Sequence, residues 1–220
     1  MADGLDRRWW SMSAIVVLLA LPTLWDTVQH NRLLSRADTR NLATAWIEGN
    51  VSAGSRIALV GSEYGYPRLR PTTGWKRARL ADLEAAGASA GRLRAQLRHG
   101  TTVNEPSYDL IEVRQDNPQN LRSVWMAHSA GTLVDSSIRW VVTQEHPLPF
   151  SRVPTALQES LQQVAFEVVS FDPFTAVGEE PQYDPIDAFY TPLAGFVAVA
   201  RPGPLLRIYK LNGRRSSGGS

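Results

Sequence analysis

The sequence contains no cysteine. That excludes a disulfide framework, thiol catalysis and cysteine-ligated zinc. Lysine is almost missing too. Lys76 and Lys210 are the only two, so arginine carries nearly all of the positive charge. Formal net charge is only +2 over 220 residues. Such a balance argues against a nucleic-acid binder, which concentrates basic residues on one face. Histidine is sparse: His30, His99, His128 and His146 show no HxH or HxxxH spacing. No histidine-based metal site is expected from them. There is no internal repeat and only one long uncharged apolar run.

That run is WWSMSAIVVLLALPTLW, Trp9 to Trp25. Its length is at the lower end of the roughly 17–25 residues that cross a bilayer as a helix. Trp9 and Trp10 at one end and Trp25 at the other resemble the aromatic belts of the two interfaces. Pro22 falls in the last turn, where a lost hydrogen bond lies near polar headgroups. A cleaved signal peptide needs small residues ahead of a cut site, and LALPTLW does not supply them. A buried core helix seldom carries tryptophan at both ends and no polar face. The expectation is an uncleaved membrane anchor over residues 9–28. Arg7 and Arg8 precede it and Asp26 follows it, which favours a cytoplasmic N-terminus. Arg32, Arg36 and Arg40 count against that asymmetry. The bulk of the chain is expected on the extracytoplasmic side, with residues 1–8 in the cytoplasm.

The remainder, residues 29–211, reads as one mixed-sheet α/β domain. The stretch 26–50 has approximate helical spacing in Leu34, Ala37, Leu42, Ala45 and Trp46, with Gly49-Asn50 as a stop and Ser35 or Asp38 as a cap for its second half. SRIALVG (55–61) is a short buried strand. WKRARLADLEAAG and SAGRLRAQLRHG are helical pieces split near Gly87 to Gly91. YDLIEVRQ (108–115), SIRWVVTQE (137–145) and AFEVVSF (165–171) read as strands. PTALQESLQQV (154–164) opens with proline at a favoured helix start. GFVAVA and LLRIYKL flank ARPGP, a turn between two closing strands. Early strands alternating with helices predict a partly parallel sheet, and the late strands add antiparallel pairs. NGRRSSGGS has nothing to bury, so residues 212–220 are expected to be a loose tail.

Several strings invite a chemical reading. AHSAG, Ala127 to Gly131, resembles the G-x-S-x-G nucleophile elbow, with SVWMA as its strand. Alanine replaces the first glycine, however, and the only later histidine is His146, with Asp135 and Glu145 too close for the usual triad order. Ser129 is therefore a weak nucleophile candidate. Asp172, Glu179, Glu180, Asp184 and Asp187 form an acidic late segment, but without the spacing of a calcium loop. A solvated loop is the simpler reading, and no cofactor or metal is expected. GSEYG (61–65) lacks the third glycine of a dinucleotide fingerprint. Lys76, Arg77, Arg79, Arg92 and Arg94 form a basic cluster. Near a membrane it would touch lipid phosphates or a partner's acidic face; otherwise it is a solvated helix face. YDPIDAFYTPLAGF (183–196) admits two readings. Its prolines and rings make it a fastening, with Asp184 and Asp187 capping local N–H groups. Alternatively Tyr183, Asp184, Asp187, Phe189 and Tyr190 form an interaction surface for a sugar or a protein.

DTRNLATAWIEGN after the apolar run, then GSRIAL, IRWVVTQE and the late DPIDAFYTPLAGF…RPGPLLRIYKL together resemble the C-terminal end of bacterial GT-C type glycosyltransferases. These are relatives of protein mannosyltransferases and aminoarabinose transferases. The resemblance covers most of residues 9–211. It implies a last membrane span followed by an extracytoplasmic α/β domain. That family's reactive carboxylates belong to a multi-span module that precedes this region. Met1-Ala-Asp reads as a start, so the module is expected to be lacking and no catalytic residue carries over. The resulting expectation is a non-catalytic, membrane-anchored subunit of a larger integral membrane complex. Its partners would be membrane protein subunits and lipids, not nucleic acid. The alternative is an accessory part of a transferase, binding a glycan or lipid-linked sugar.

Overall fold

The computed structural model describes residues 3–99, 105–113, 137–148, 151, 153, 155–186 and 190–212, without the side chains of 3–11, 13, 14 and 99. Helix α1 spans Asp3–Leu34 and α2 Thr39–Asn50. Strand β1 is Arg56–Val60, α3 is Thr73–Ala85, α4 is Gly91–His99, and β2 is Asp109–Val113. Then come β3 (Trp140–Glu145), α5 (Thr155–Val164), β4 (Ala165–Phe171) and β5 (Leu205–Leu211).

The five strands make one sheet in the order β2-β1-β3-β5-β4. β1 runs parallel to both β2 and β3, while β5 is antiparallel to β3 and β4. The expected mixed α/β class is therefore observed. Strand alternation divides the core between two faces. Ile57, Leu59, Val142, Leu206 and Ile208 pack on one face with Ala43 and Ile47 of α2. Ala58, Val60 and Val141 pack on the other with Leu157 and Leu161 of α5. This explains why β1 reads RIALV without alternation: it is internal to the sheet and covered on both sides.

One expected strand does not form. GFVAVA was to pair with the final strand across ARPGP. Instead Phe196–Ala198 is a single 3-10 turn, entered through Gly195 at φ 74°, and Val199 bridges to Phe174. Both edges of β5 are already taken by β3 and β4, so no ladder remains for it.

The expected anchor finds no support in the length and hydropathy of α1. Among the described residues, no helix is long and apolar enough to cross a membrane. The most apolar part of α1, Ile15 to Leu21, is closed by Pro22 and Thr23 and soon followed by Asp26, Gln29, His30, Asn31 and Arg32. Trp9 and Trp10 have side chains outside the described residues; Pro22 and Trp25 are exposed on the helix. Ile15, Val16, Val17, Leu18 and Leu19 are consecutive and all more than half exposed. Five successive positions cover more than a full turn, so no side of this stretch is covered by the other described residues. Among the described residues, the last turns of α1 meet the domain, through buried Leu33 and a His30–Phe196 ring contact at 5.6 Å.

Candidate functional site

The polar groups of the domain converge at one end of β3. Gln144 sits opposite Leu206 in the β3–β5 ladder, and it is fully buried. Its amide donates to the Ser62 carbonyl at 2.6 Å, and its Oε1 accepts from the Tyr190 hydroxyl at 3.3 Å. Tyr190 also shares a 2.7 Å hydrogen bond with the hydroxyl of Ser151, which is itself fully buried. Space for Gln144 comes from GSEYG. A Cβ at Gly61 or Gly65 would overlap the Gln144 side chain. The two glycines that do not fit a dinucleotide fingerprint thus serve close packing.

Tyr190 is 1% exposed and sits at φ 59°, a left-handed conformation rare for a bulky residue. Burial raises its hydroxyl pKa above the usual range, partly offset by the Ser151 hydrogen bond. On the ring's other side stands Arg40, its guanidinium carbon 5.4 Å from the centroid. Arg40 is bound in turn by Asp38, whose Oδ1 accepts from Arg40 Nε at 2.9 Å, and it donates to the Tyr64 carbonyl at 2.7 Å. Asp38 Oδ1 also accepts from the Arg40 backbone N–H at 2.7 Å, which makes Asp38 the N-cap of α2. The RPGP turn straps the same helix start: Thr39 donates through its N–H to Pro202 O and through its hydroxyl to Pro204 O.

His146 follows β3 directly. Its ring lies edge-on to Tyr183 at 4.3 Å and to Tyr190 at 4.9 Å, with Phe174 at 5.8 Å. Nδ1 accepts from the Leu148 N–H at 3.2 Å, so the neutral ring carries its proton on Nε2. Among the described residues Nε2 and the Tyr183 hydroxyl have no hydrogen-bond partner. Burial lowers the His146 pKa to about 4 and raises that of Tyr183. Beside the histidine lies an open pocket of about 340 Å³, walled by Pro147, Val153, Phe174 and Leu205. A second pocket of about 500 Å³ sits at the α1–α2 junction, lined by His30, Arg36, Asp38 and Arg40.

The residues singled out in the sequence are thus dispersed. Tyr183 and Tyr190 belong to the buried cluster. Asp184 stays at the surface, where its Oδ1 caps the Ile186 N–H at 2.9 Å. Asp187 and Phe189 lie outside the described residues, as does the AHSAG stretch with Ser129. Lys76 and Arg79 are half-buried on α3, and Arg77 is exposed. Arg92 and Arg94 are exposed on α4, where Arg94 pairs with Glu84 of α3 at 2.8 Å. No group of three or more metal-ligating side chains occurs among the described residues. Gln144, Ser151, Arg40 and His146 were not foreseen as one cluster. The available signal was slight: a glutamine late in a strand that opens with WVV.

As built, the cluster joins four segments: the start of α2, the 61–65 loop, the end of β3 and the YDPIDAFYTPLAGF segment. Its polar groups mostly satisfy one another, which makes it a fastening. No family model, curated protein or solved structure matches this chain.

Proposed function

We propose that this chain is a membrane-anchored, non-catalytic α/β module. It acts as a structural or interaction subunit of a larger integral membrane assembly, with its domain on the extracytoplasmic side. The observation that carries the reading is the uncovered apolar girth of α1 from Ile15 to Trp25 on a helix continuous with the domain. Soluble chains rarely leave that much contiguous apolar surface bare. The modest hydropathy of α1 fits this role better than that of a free-standing span. A helix too polar to be comfortable alone in lipid is stabilised by packing against neighbouring helices, where its Ser, Thr and Pro positions find partners. The inward-turned polar cluster, with neutral His146, suits fastening rather than turnover. Descent from a GT-C type glycosyltransferase tail is part of the proposal.

The second reading is an accessory, acceptor-binding part of a lipid-phosphosugar transferase. It is favoured by the pocket at the α1–α2 junction, which brings His30, Arg36 and Arg40 beside the last turns of α1. Gentle detergent extraction from the native membrane separates the two. Companions recovered in equal amounts support the subunit reading. Recovery of the chain alone, together with saturable binding of a polyprenyl-phosphate sugar, supports the second. Release by alkaline carbonate without detergent counts against any membrane anchor.

A further inference from the structure

We propose that the cleft at the α1–α2 junction binds a phosphate ester, held between the guanidiniums of Arg36 and Arg40. The proposal rests on the second reading only for the choice of cleft and requires no sugar transfer. The cleft measures about 500 Å³, and Arg36, Arg40 and Asp38 line it with His30 beside them. Each guanidinium is held by a main-chain oxygen. Arg36 Nη1 donates to the Ala200 carbonyl at 2.6 Å. Arg40 Nη1 donates to the Tyr64 carbonyl at 2.7 Å, and its guanidinium carbon stands 5.4 Å from the Tyr190 ring centroid. Both side chains are thus oriented before a ligand arrives, which lowers the entropy lost on binding.

The charge balance of the cleft calls for an anion. Among the described residues Asp38 is the only acid in the lining, and it is already committed. Its Oδ1 accepts from the backbone N–H and Nε of Arg40, and its Oδ2 accepts from Nη2. Arg36 has no such carboxylate among the described residues, so the cleft keeps a positive charge in excess. A guanidinium carries five N–H donors. Among the described residues Arg36 uses one of them and Arg40 three. A carboxylate offers two oxygens in one plane and suits a single fork. A phosphate ester offers up to three terminal oxygens set tetrahedrally, and it can accept from two guanidiniums at once. The cleft's volume falls in the range of small-molecule sites, ~300–1,000 Å³. Leu34, Ala37 and Pro202 supply an apolar wall for the organic part of the ester.

The test is calorimetric titration of the full chain in detergent micelles with glycerol 3-phosphate, monomeric dihexanoyl phosphatidic acid or acetate. Both phosphate probes should bind saturably, and R36Q should weaken them about tenfold or more through loss of charge-assisted hydrogen bonds. R92Q removes the same charge from α4 and should bind like the parent. Arg36, Asn41 and Arg92 are all exposed, so each variant should keep the parent's urea midpoint. N41D adds a negative charge to the lining without replacing either arginine, and it should weaken binding too. Similar affinities for the two phosphate probes assign a water-soluble ester to the cleft; a lipid probe bound about tenfold tighter assigns a headgroup. Equal losses in R36Q and R92Q reduce the effect to general charge and overturn the proposal. Acetate bound as tightly as glycerol 3-phosphate overturns it as well, as does a lack of saturable binding. A polyprenyl-phosphate sugar that binds the parent and R36Q alike overturns the proposal and leaves the second reading standing. Phosphate probes bound in an Arg36-dependent way, without binding of that sugar lipid, support the proposal and remove the second reading.

Discussion

The imidazole of His146 shows how a single residue's surroundings become a measurable property of the whole chain. Buried between two tyrosines, it holds a pKa of about 4 in the folded state, against ~6.5 when unfolded. The unfolded chain therefore binds a proton between those values that the folded chain refuses. Stability from this site is fully present above about pH 6.5 and is lost as pH falls toward the folded pKa. At ~1.4 kcal/mol per pKa unit, the loss between pH 7 and pH 5 is about 2 kcal/mol. Urea unfolding of H146F should show a shallower decline over that window than the parent; equal slopes would place the proton uptake elsewhere. A neighbouring prediction concerns Tyr190. Removing its hydroxyl in Y190F strands Ser151 Oγ and Gln144 Oε1 in a buried site, at a cost of ~1–3 kcal/mol. If the three groups form one network, S151A in the Y190F background costs less than S151A alone. Additive losses would mean the bonds act independently. None of this was legible residue by residue. Tyr190 lies some forty residues beyond Gln144 and Ser151, and each residue alone has an ordinary role.

Single elements were easier to read, because each announces itself over several consecutive residues. RIALV, WVVTQE and AFEVVSF carry β-branched and aromatic side chains between turn formers, and each became a strand. The helix break at 87–91 followed from its glycines. Ala86 closes α3, and Gly87 takes φ 66° just after it, a conformation glycine adopts without strain. GFVAVA misled because its pattern is strand-like while its place in the fold is not. Local pattern cannot reveal that β5 has no open edge left. Asp38 sits at the border between the two kinds of inference. Its position as a cap was readable; its second duty, holding Arg40 against the Tyr190 ring, was not. The two duties can be separated. D38A removes both the cap and the ion pair, and an N-cap alone is worth ~0.5–2 kcal/mol. D38N keeps a cap acceptor and removes only the charge. Chemical denaturation should rank the parent above D38N and D38N above D38A. Equal stability for the two variants would show that the cap adds nothing measurable beyond the ion pair.

At the scale of the molecule, the domain and α1 obey different rules. The domain covers its inner strands β1 and β3 on both faces, while the described residues leave Ile15 to Leu19 of α1 bare on every side. The apolar run was plain in the sequence; its continuation as one helix to Leu34, docked by Leu33 and His30, was not. Periodicity gives no hint of whether a helix ends at an interface or runs on into a fold. This split offers a test in which folding and membrane association come apart. Leu18 is 66% exposed, so replacing it leaves the domain core untouched, and exposed substitutions of that kind shift stability by only ~0.5 kcal/mol. An arginine at the centre of a membrane helix, by contrast, costs about 2.5–3.5 kcal/mol of insertion energy. A helix of modest hydropathy has little reserve against such a loss. L18R should therefore keep the parent's urea midpoint for the domain while its membrane-bound fraction falls sharply after carbonate washing. The conservative L18I should behave like the parent in both measurements. Undiminished membrane retention of L18R would mean that α1 is not what holds the chain at the bilayer. Loss of the domain's unfolding transition would instead show that α1 and the domain fold as one cooperative unit through the His30 and Leu33 junction.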